Sequence, residues 1–159
     1  MTKLMTLLFL RREDEILLAL KKRGFGVGKW NGVGGKVEPG ETIVQAAVRE
    51  CQEEIGVTPA APKLVGRLKF LDESDPNFCH DAHIFIATKW HGVPHETEEM
   101  RPQWFALAQI PYEHMWSDDQ LWLPILLQGK LFKGSITLDN LANNALVRHD
   151  IKEVNHLEI

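Results

Sequence analysis

Apolar and polar positions along this chain follow patterns that predict several strands and two helices. Residues 4–10 and 15–21 are short apolar segments separated by the charged turn Arg-Arg-Glu-Asp, which predicts a β-hairpin. Further strand-like segments follow at 63–72, 80–90, 103–107, 134–138 and 145–154. Together with the two helices, these segments predict a mixed α/β domain.

The first helix is predicted over residues 42–55. Thr42 and Gln45 fit a capping box at its start, and Gly56 suits the position just past its end. One apolar stripe of this helix is expected to face the core. At 100° per residue the stripe comprises Val44, Val48, Cys51 and Ile55.

The second helix is predicted over residues 117–130, with a capping box formed by Ser117 and Gln120. Pro124 is expected either to kink this helix or to mark its true start, because proline lacks the N–H group that a helix interior uses. Before the first helix, residues 22–40 hold seven of the 12 glycines and are predicted to form a long loop. Such a loop in a compact domain usually has a function.

Length and composition restrict the class of protein. The chain of 159 residues fits one domain, 1–159, with a sizeable core, and 44% hydrophobic residues argue against disorder. No apolar run reaches the roughly 18 residues of a membrane span. Cys51 and Cys79 form no metal-binding spacing, so we expect both to be reduced and the protein to be cytoplasmic.

Charge points to a small ligand. A protein that binds long nucleic acid is usually basic, whereas the net charge here is -4. The one basic cluster, KKRGFGVGK at 21–29, suits a small polyanion. We therefore expect a small-molecule substrate, no nucleic acid polymer, no membrane and a monomeric protein.

Three acidic residues fall on one side of the first helix: Glu50, Glu53 and Glu54, at relative positions i, i+3 and i+4. Like charges at this spacing destabilise an open helix by roughly a few tenths of a kcal/mol. A bound divalent cation would reverse that sign, and oxygen-only ligands select hard ions such as Mg²⁺ or Mn²⁺. From the helix pattern alone, a solvated acidic face with Arg49 paired to Glu53 is the more common interpretation.

The spacing around these acids favours the metal site. The intervals follow G-x5-E-x7-R-E-U-x-E-E-x-G-U, where U is a bulky aliphatic residue. The matching positions are Gly35, Glu41, Arg49, Glu50, Cys51, Glu53, Glu54, Gly56 and Val57. This pattern resembles the Nudix box, in the loop-to-helix context that the box requires. One position departs, because a cysteine stands at the first U, but a small hydrophobe there leaves the chemistry intact.

The resemblance to the Nudix family implies an α/β/α sandwich with a mixed sheet and two principal helices. It also implies metal-dependent hydrolysis of a nucleoside diphosphate linked to another group, with Mg²⁺ or Mn²⁺ as cofactor. By the match, Arg49 and Glu41 fix the geometry of the metal-binding glutamates, and Glu50 or Glu53 takes a proton from water. The implied metal ligands are Glu50, Glu53, Glu54, the backbone carbonyl of Gly34 and, from outside the box, Glu99.

Segments outside the box resemble one branch of the family, the animal MutT-type hydrolases of oxidised purine nucleoside triphosphates. These segments are KKRGFGVGKWNGVGGKV, EEMRPQWF and QIPYEHMWSDDQLWLPILLQ. The resemblance implies that 8-oxo-dGTP and 2-hydroxy-dATP are converted to the monophosphate and pyrophosphate, which sanitises the nucleotide pool. The implied substrate contacts are Thr6, Lys21, Phe25, Asn31, Gly34, Gly35, Lys36, Phe70, Trp116, Asp118 and Asp119.

Four of these residues would bind the base. By the resemblance, Asn31 hydrogen-bonds it, Trp116 stacks on it, and Asp118 and Asp119 read its Watson–Crick edge. Two carboxylates facing one base cannot both ionise cheaply, so we expect one of them to keep its proton. The alternative interpretation makes the two aspartates first-turn acids stabilised by the helix dipole, the asparagine a loop cap and the tryptophan a core residue.

The match weakens over residues 66–83. Asp72 stands where the relatives have a second phenylalanine, and a one-residue insertion precedes His83, so the breadth of substrates stays open. Two other functions are alternatives. One is a Nudix pyrophosphatase acting on ADP-ribose, NADH or a dinucleoside polyphosphate. Those groups carry a proline, an SQPWPFP-like string or a tyrosine about 15 to 20 residues after the box; here that window has Pro76 but no such string, and the one tyrosine is Tyr112. The other is a non-catalytic nucleotide-binding module, which the loss of a metal glutamate would favour.

Overall fold

The computed structural model describes residues 2–141 and 143–159. Two α-helices in this part of the chain are α1 (Ile43–Ile55) and α2 (Asp119–Leu127), and short 3-10 helices cover Leu107–Gln109 and Tyr112–His114. The strands are β1 (Thr2–Arg12), β2 (Glu15–Lys21), β3 (Trp30–Asn31), β4 (Val33–Lys36), β5 (Thr58–Pro59), β6 (Lys63–Asp72), β7 (Asp75–Ala87), β8 (Trp90–His91), β9 (Met100–Ala106), β10 (Leu131–Leu138) and β11 (Leu146–Val154).

The main sheet is organised around β1. Its strand order is β11-β10-β6-β7-β1-β2-β3, with β4 also paired to β1 and β9 to β2. β1 runs parallel to β7, and β6 runs parallel to β10, whereas the other pairs in this sheet are antiparallel. The turn at residues 13–14 joins β1 to β2, with Arg12 opposite Glu15, which confirms the predicted hairpin.

The two helices cover opposite faces of this sheet. Alternate residues of a strand point to opposite faces, so Leu8 packs in the core that contains α1, and Phe9 packs in the core that contains α2. Cys51 and Ile55 bring α1 into the first core, and Trp122 brings α2 into the second. The expected mixed α/β/α sandwich is therefore confirmed.

Both ends of α1 agree with the prediction. Thr42 Oγ1 accepts a hydrogen bond from the Gln45 N–H at 3.1 Å, and Gln45 Oε1 accepts one from the Thr42 N–H at 2.8 Å. Gly56 follows the helix with φ 73°, a left-handed conformation that favours glycine. The buried face differs from the prediction, because Val44 and Val48 are only half-buried. Two alanines and one acid take part in that face instead: Ala46, Ala47 and Glu54.

The start of α2 was predicted wrongly. The helix begins at Asp119, after Asp118 as N-cap, and Ser117 forms no capping box, since its Oγ is buried without a hydrogen-bond partner among the described residues. Gln120 donates instead to the Ser117 carbonyl at 3.3 Å. Pro124 lies inside the helix and therefore does not mark its start. The strand expected from residue 80 also begins earlier, at position 75.

The expectations of two free cysteines and of no membrane span can be compared with the described residues. Cys51 is buried in α1, Cys79 is half-buried in β7, and both are free thiols, as expected. Within residues 2–141 and 143–159, neither helix is long and apolar enough to cross a membrane.

Candidate active site

The three glutamates of α1 lie in different environments. The side chain of Glu54 is 4% exposed, that of Glu50 is 17% exposed, and that of Glu53 is 58% exposed. The spacing i, i+3, i+4 places them side by side, and the sheet covers only one edge of that group. One acid is therefore held inside the protein, one lies at the boundary, and one faces solvent.

Glu54 is an acid whose charge is poorly compensated. Its Oε1 accepts a hydrogen bond from the Gly34 N–H at 2.7 Å, and its Oε2 lies 3.9 Å from Lys21 Nζ. Burial nevertheless raises the pKa of Glu54 to about 7, and the negative charges of Glu50 and Glu99 act in the same direction. Lys21 therefore compensates the charge of the ionised carboxylate only in part.

Lys21 shows that a cation can lie between two acids from different elements. Its ammonium nitrogen is 3.9 Å from Glu54 on α1 and 3.4 Å from Glu99, the residue just before β9. The predicted fifth metal ligand is therefore brought towards the helix, although 45 residues separate the two in sequence. Arg49 similarly contacts the other acids of the box, Glu41, Glu50 and Glu53.

Arg49 holds the outer acids of the box. Its guanidinium donates to Glu41 at 2.7 and 3.0 Å, to Glu50 at 3.0 Å and to Glu53 at 3.2 Å, and its Nη2 donates to the Lys36 carbonyl at 3.0 Å. The bond from Arg49 lowers the pKa of Glu41 to about 2, so this acid stays ionised. Burial raises the pKa of Glu50, against the lowering effect of the arginine. Arg49 thus contacts three acids of the box, and the positioning role that the resemblance implies for Arg49 and Glu41 stays a prediction.

The donors around α1 fit a hard divalent cation. They are carboxylate and backbone oxygens, the ligand type that Mg²⁺ and Mn²⁺ prefer, and the charge of the buried acid is compensated only in part. Across the described residues, no three Asp, Glu, His or Cys side chains already converge as a preformed metal centre. Arg49 and Lys21 form ion pairs with these acids, so a bound cation would exchange partners with the two side chains.

Gly35 lies against the Glu50 carboxylate. A Cβ atom at this position would lie 2.4 Å from Glu50 Oε1, whereas a Cβ at the preceding Gly34 would lie 1.8 Å from the Thr6 carbonyl oxygen. The first contact is with a side chain that can turn away, and the second is with the backbone of β1, which pairs with β4. Substitution by alanine is therefore expected to have different consequences at these two adjacent glycines.

We expect Gly35→Ala to reduce turnover by about 10- to 100-fold, because it displaces the Glu50 carboxylate while the sheet remains paired. Gly34→Ala is the matched comparison and should lower the thermal unfolding midpoint, since the β1–β4 pairing must open. Thermal unfolding and turnover, measured on both variants, check this. Equal destabilisation by the two alanines would contradict the assignment.

A cavity lies on the α2 side of the sheet, among residues predicted to bind substrate. Predicted contacts that line it are Thr6, Phe25, Asn31, Phe70, Trp116, Asp118 and Asp119. The other predicted contacts belong to the glutamate side: Lys21, Gly34, Gly35 and Lys36. Thr6 connects the two regions, since it lines the cavity and its Oγ1 lies 3.5 Å from the Gly35 carbonyl oxygen.

The aspartate pair of α2 lines the cavity. Asp118 and Asp119 are each 2% exposed, and Trp122 Nε1 donates to Asp118 Oδ2 at 2.7 Å. Burial raises the pKa of both carboxyls, and the neighbouring Asp118 raises that of Asp119 further, well above its ordinary value. Asp118 is the N-cap of α2 and Asp119 lies in its first turn. Their positions therefore also fit the alternative interpretation, in which both are first-turn acids stabilised by the helix dipole. The helix dipole contributes only about 0.3–1 kcal/mol at exposed sites, less than the cost of burying a charge, so a shared proton is favoured.

Aromatic side chains also line the cavity. Trp116 is half-buried and stacks on Phe25, with ring centroids 5.2 Å apart and planes 27° from parallel. Lys29 Nζ lies 5.0 Å from the same indole ring. Asn31 also lines the cavity, while its Oδ1 accepts a hydrogen bond from the Gly32 N–H at 2.8 Å. A flat apolar surface and an amide group thus face the interior, as a base-binding cavity requires.

The sequence prediction missed part of the cavity wall. The additional lining residues are Met5, Leu7, Phe78, His80, Ala82, Trp122, Leu138 and Leu141. Phe78 and His80 come from β7, with ring centroids 4.2 Å apart, in the segment where the family match weakens. Their alternation along β7, and the pairing of His80 with Phe70 in β6, are the signals that would have identified them. Asp72 lies outside the cavity lining and accepts hydrogen bonds from Ser74 in the β6–β7 turn.

Comparison with known proteins identifies the family. The NUDIX domain model matches residues 1–124. The oxidized purine nucleoside triphosphate hydrolase of Danio rerio is 46% identical over 98% of both chains, and that of Mus musculus is 44% identical over 96% of both. The crystal structure of a MutT protein from Bacillus halodurans superposes with a TM-score of 0.82, at 25% identity, covering 94% of this chain and 97% of that one. The fold, the match across the box and these relatives agree: the chain belongs to the NUDIX family.

Proposed function

We propose that the protein hydrolyses oxidised purine nucleoside triphosphates, such as 8-oxo-dGTP and 2-hydroxy-dATP, to the monophosphate and pyrophosphate. The observation that carries the proposal is the buried aspartate pair in an aromatic cavity beside a cluster of acids. Two relatives that match nearly the whole chain are named for hydrolysis of this substrate class. A base fits the cavity, and a polyphosphate fits the neighbouring cluster once a divalent cation has bound.

The cavity is suited to a purine that carries additional polar groups. Trp116 and Phe25 offer aromatic faces, and Asn31 offers an amide. Asp118 and Asp119 with one shared proton both donate and accept hydrogen bonds, so the position of the proton selects the base edge that fits. This is how one pocket accepts both an oxidised guanine and an oxidised adenine.

The acids of α1 are suited to the phosphate chain. Members of the family generally use divalent metal ions, and we propose Mg²⁺, with Mn²⁺ as a substitute. The residues that would hold it are Glu50, Glu53, Glu54, Glu99 and the Gly34 carbonyl. When bound, the ion supplies charge neutralisation of the phosphate oxygens and a lower pKa of a bound water. Glu50 or Glu53 accepts the proton of the attacking water, and Arg49 keeps both carboxylates in position.

The setting of the reaction forms part of the same proposal. Free Cys51 and Cys79 agree with a reducing compartment, so we propose that the protein acts in the cytoplasm. We further propose that it acts as a monomer consisting of one domain. Its partner is then a single nucleotide, because one cavity and one acidic cluster account for the base and the phosphates.

Turnover of a nucleotide panel tests the proposal. We expect pyrophosphate release from 8-oxo-dGTP or 2-hydroxy-dATP to exceed that from dGTP with Mg²⁺ and to stop with EDTA. O6-methyl-dGTP, ADP-ribose and diadenosine polyphosphates complete the panel. Turnover of only the last two would retain the metal site and refute the purine cavity. No turnover of any substrate would indicate a nucleotide-binding module.

A further inference from the structure

We propose that Arg23 binds the phosphate chain of the substrate, and that Glu99 holds it ready until the divalent cation takes Glu99 over. The proposal rests on the proposed function, since it assigns a residue to the triphosphate. It adds a cationic contact from outside the Nudix box and from the start of the glycine-rich loop. The contacts of the Glu99 carboxylate are the observation that supports the proposal.

Both oxygens of Glu99 are engaged by cations. Arg23 donates to Glu99 Oε1 through Nη2 at 2.8 Å and through Nε at 3.1 Å. Lys21 Nζ lies 3.4 Å from the other oxygen, Oε2. Two cations thus hold the Glu99 carboxylate in place.

Arg23 lies at the junction of the two halves of the site. Two residues later, Phe25 lines the cavity and stacks on Trp116, and at Arg23 itself the same loop contacts Glu99. A nucleotide with its base in the cavity and its phosphates at the acids must pass this part of the loop. Gly24 between them has φ 78°, and no atom lies within 4 Å of a Cβ built there. The Arg23 side chain is itself 58% exposed, so solvent surrounds much of it and leaves it room to turn towards a ligand.

Charge balance favours an exchange of partners. The side chains of Arg23 and Glu99 are 58% and 38% exposed, and exposed ion pairs contribute only about 0–1 kcal/mol. A divalent cation binds Glu99 more strongly than one exposed guanidinium does, so it displaces Arg23. The released guanidinium then meets the phosphate oxygens, whose spacing its planar donor fork matches.

A simple positioning role predicts the opposite result for metal binding. If Arg23 only oriented Glu99, its removal would weaken the binding of the cation. If Arg23 competes with the cation, its removal strengthens cation binding in the absence of nucleotide and weakens triphosphate binding. The two roles are therefore separated by the sign of one measured change.

The test uses Arg23→Gln with Lys22→Gln as the matched control. Lys22 is adjacent and equally charged, but its ammonium contacts Glu96 at 2.6 Å and the Thr97 carbonyl at 2.8 Å rather than Glu99. Mn²⁺ affinity is measured without nucleotide, and the affinity for a non-hydrolysable purine triphosphate is measured with Mn²⁺ at saturation. Thermal unfolding shows that both variants are folded.

For Arg23→Gln we expect Mn²⁺ affinity to rise several-fold and triphosphate affinity to fall about tenfold, the loss of roughly one charge-assisted hydrogen bond. Lys22→Gln should change both values by much less. Mn²⁺ affinity equal to or below that of the unsubstituted protein, or an unchanged affinity for the triphosphate, would overturn the proposal. The Mn²⁺ measurement involves no turnover, so failure of the proposed hydrolysis would appear separately, in the nucleotide panel.

Discussion

Replacing Glu53 by glutamine is expected to reduce turnover by at least about 100-fold and to leave the fold intact. Removing groups that merely support a metal ligand typically costs about 10- to 100-fold, and this change removes the charge of a proposed ligand itself. Glu53 is 58% exposed and accepts a hydrogen bond from Arg49 at 3.2 Å, so the substitution should disturb little packing. The substitution should therefore lower turnover without lowering thermal stability.

The measurement combines turnover, Mn²⁺ affinity and thermal unfolding for Glu53→Gln and a control. Glu153→Gln is the control, because Glu153 is 55% exposed and paired with Lys130 at the β10–β11 edge of the sheet. It makes the same chemical change at a similar exposure, and its turnover should stay normal. If the Glu53 variant turned over at the normal rate while folded, the metal assignment on α1 would be wrong.

The features of α1 were predictable because they depend on neighbours in sequence. The capping box of Thr42 and Gln45, the left-handed Gly56 and the grouping of the acids all follow from helix geometry. The degree of burial was not predictable in the same way. Glu54 is buried because β4 packs against α1 and brings Gly34 to its carboxylate, a contact across 20 residues of sequence.

The cavity was only partly predictable, for a related reason. Residues of the MutT-like segments, such as Trp116 and Asp119, carry a recognisable local pattern. Phe78 and His80 acquire their role only when β7 pairs with β6, and their segment matches the family poorly. The ion pair of Arg23 with Glu99 joins residues 76 positions apart, and no periodicity in the chain reports such a contact. Contacts between segments that are distant in sequence therefore determine the parts of the site that local sequence patterns do not predict.

The Ser117 capping box failed although Ser117 and Gln120 have the right spacing. Asp118 precedes the helix instead, and its side chain accepts a hydrogen bond from Trp122 Nε1 rather than capping the helix backbone. The structure starts α2 after Asp118, which turns both aspartates into the protein. A rule for helix ends alone could not choose, because the cavity that accepts the aspartates is formed by other elements.

Replacing Asp119 by asparagine is expected to change base preference far more than overall catalysis. Asparagine is neutral, as Asp119 is when it keeps the proton, but it cannot pass a proton to Asp118. The pair is then fixed in one hydrogen-bonding pattern. The ratio of kcat/KM for 8-oxo-dGTP to that for 2-hydroxy-dATP should change by at least about tenfold. An equal loss for both nucleotides would show that Asp119 has a structural role alone.

The pH dependence of stability gives a second measurement on the same variant. Burial holds the pKa of Asp119 above its value in the unfolded chain, about 3.9, so the folded state binds this proton more tightly. The free energy of unfolding should therefore fall as pH rises from near 4 towards the folded pKa, because ionising the buried carboxyl disfavours the folded state. Asp119→Asn removes this dependence, so the variant should gain stability relative to the unsubstituted protein as pH increases. Asp139→Asn, at an exposed aspartate, should follow the unsubstituted protein across the same range. A stability difference that does not vary with pH would show that Asp119 carries no proton in the folded protein.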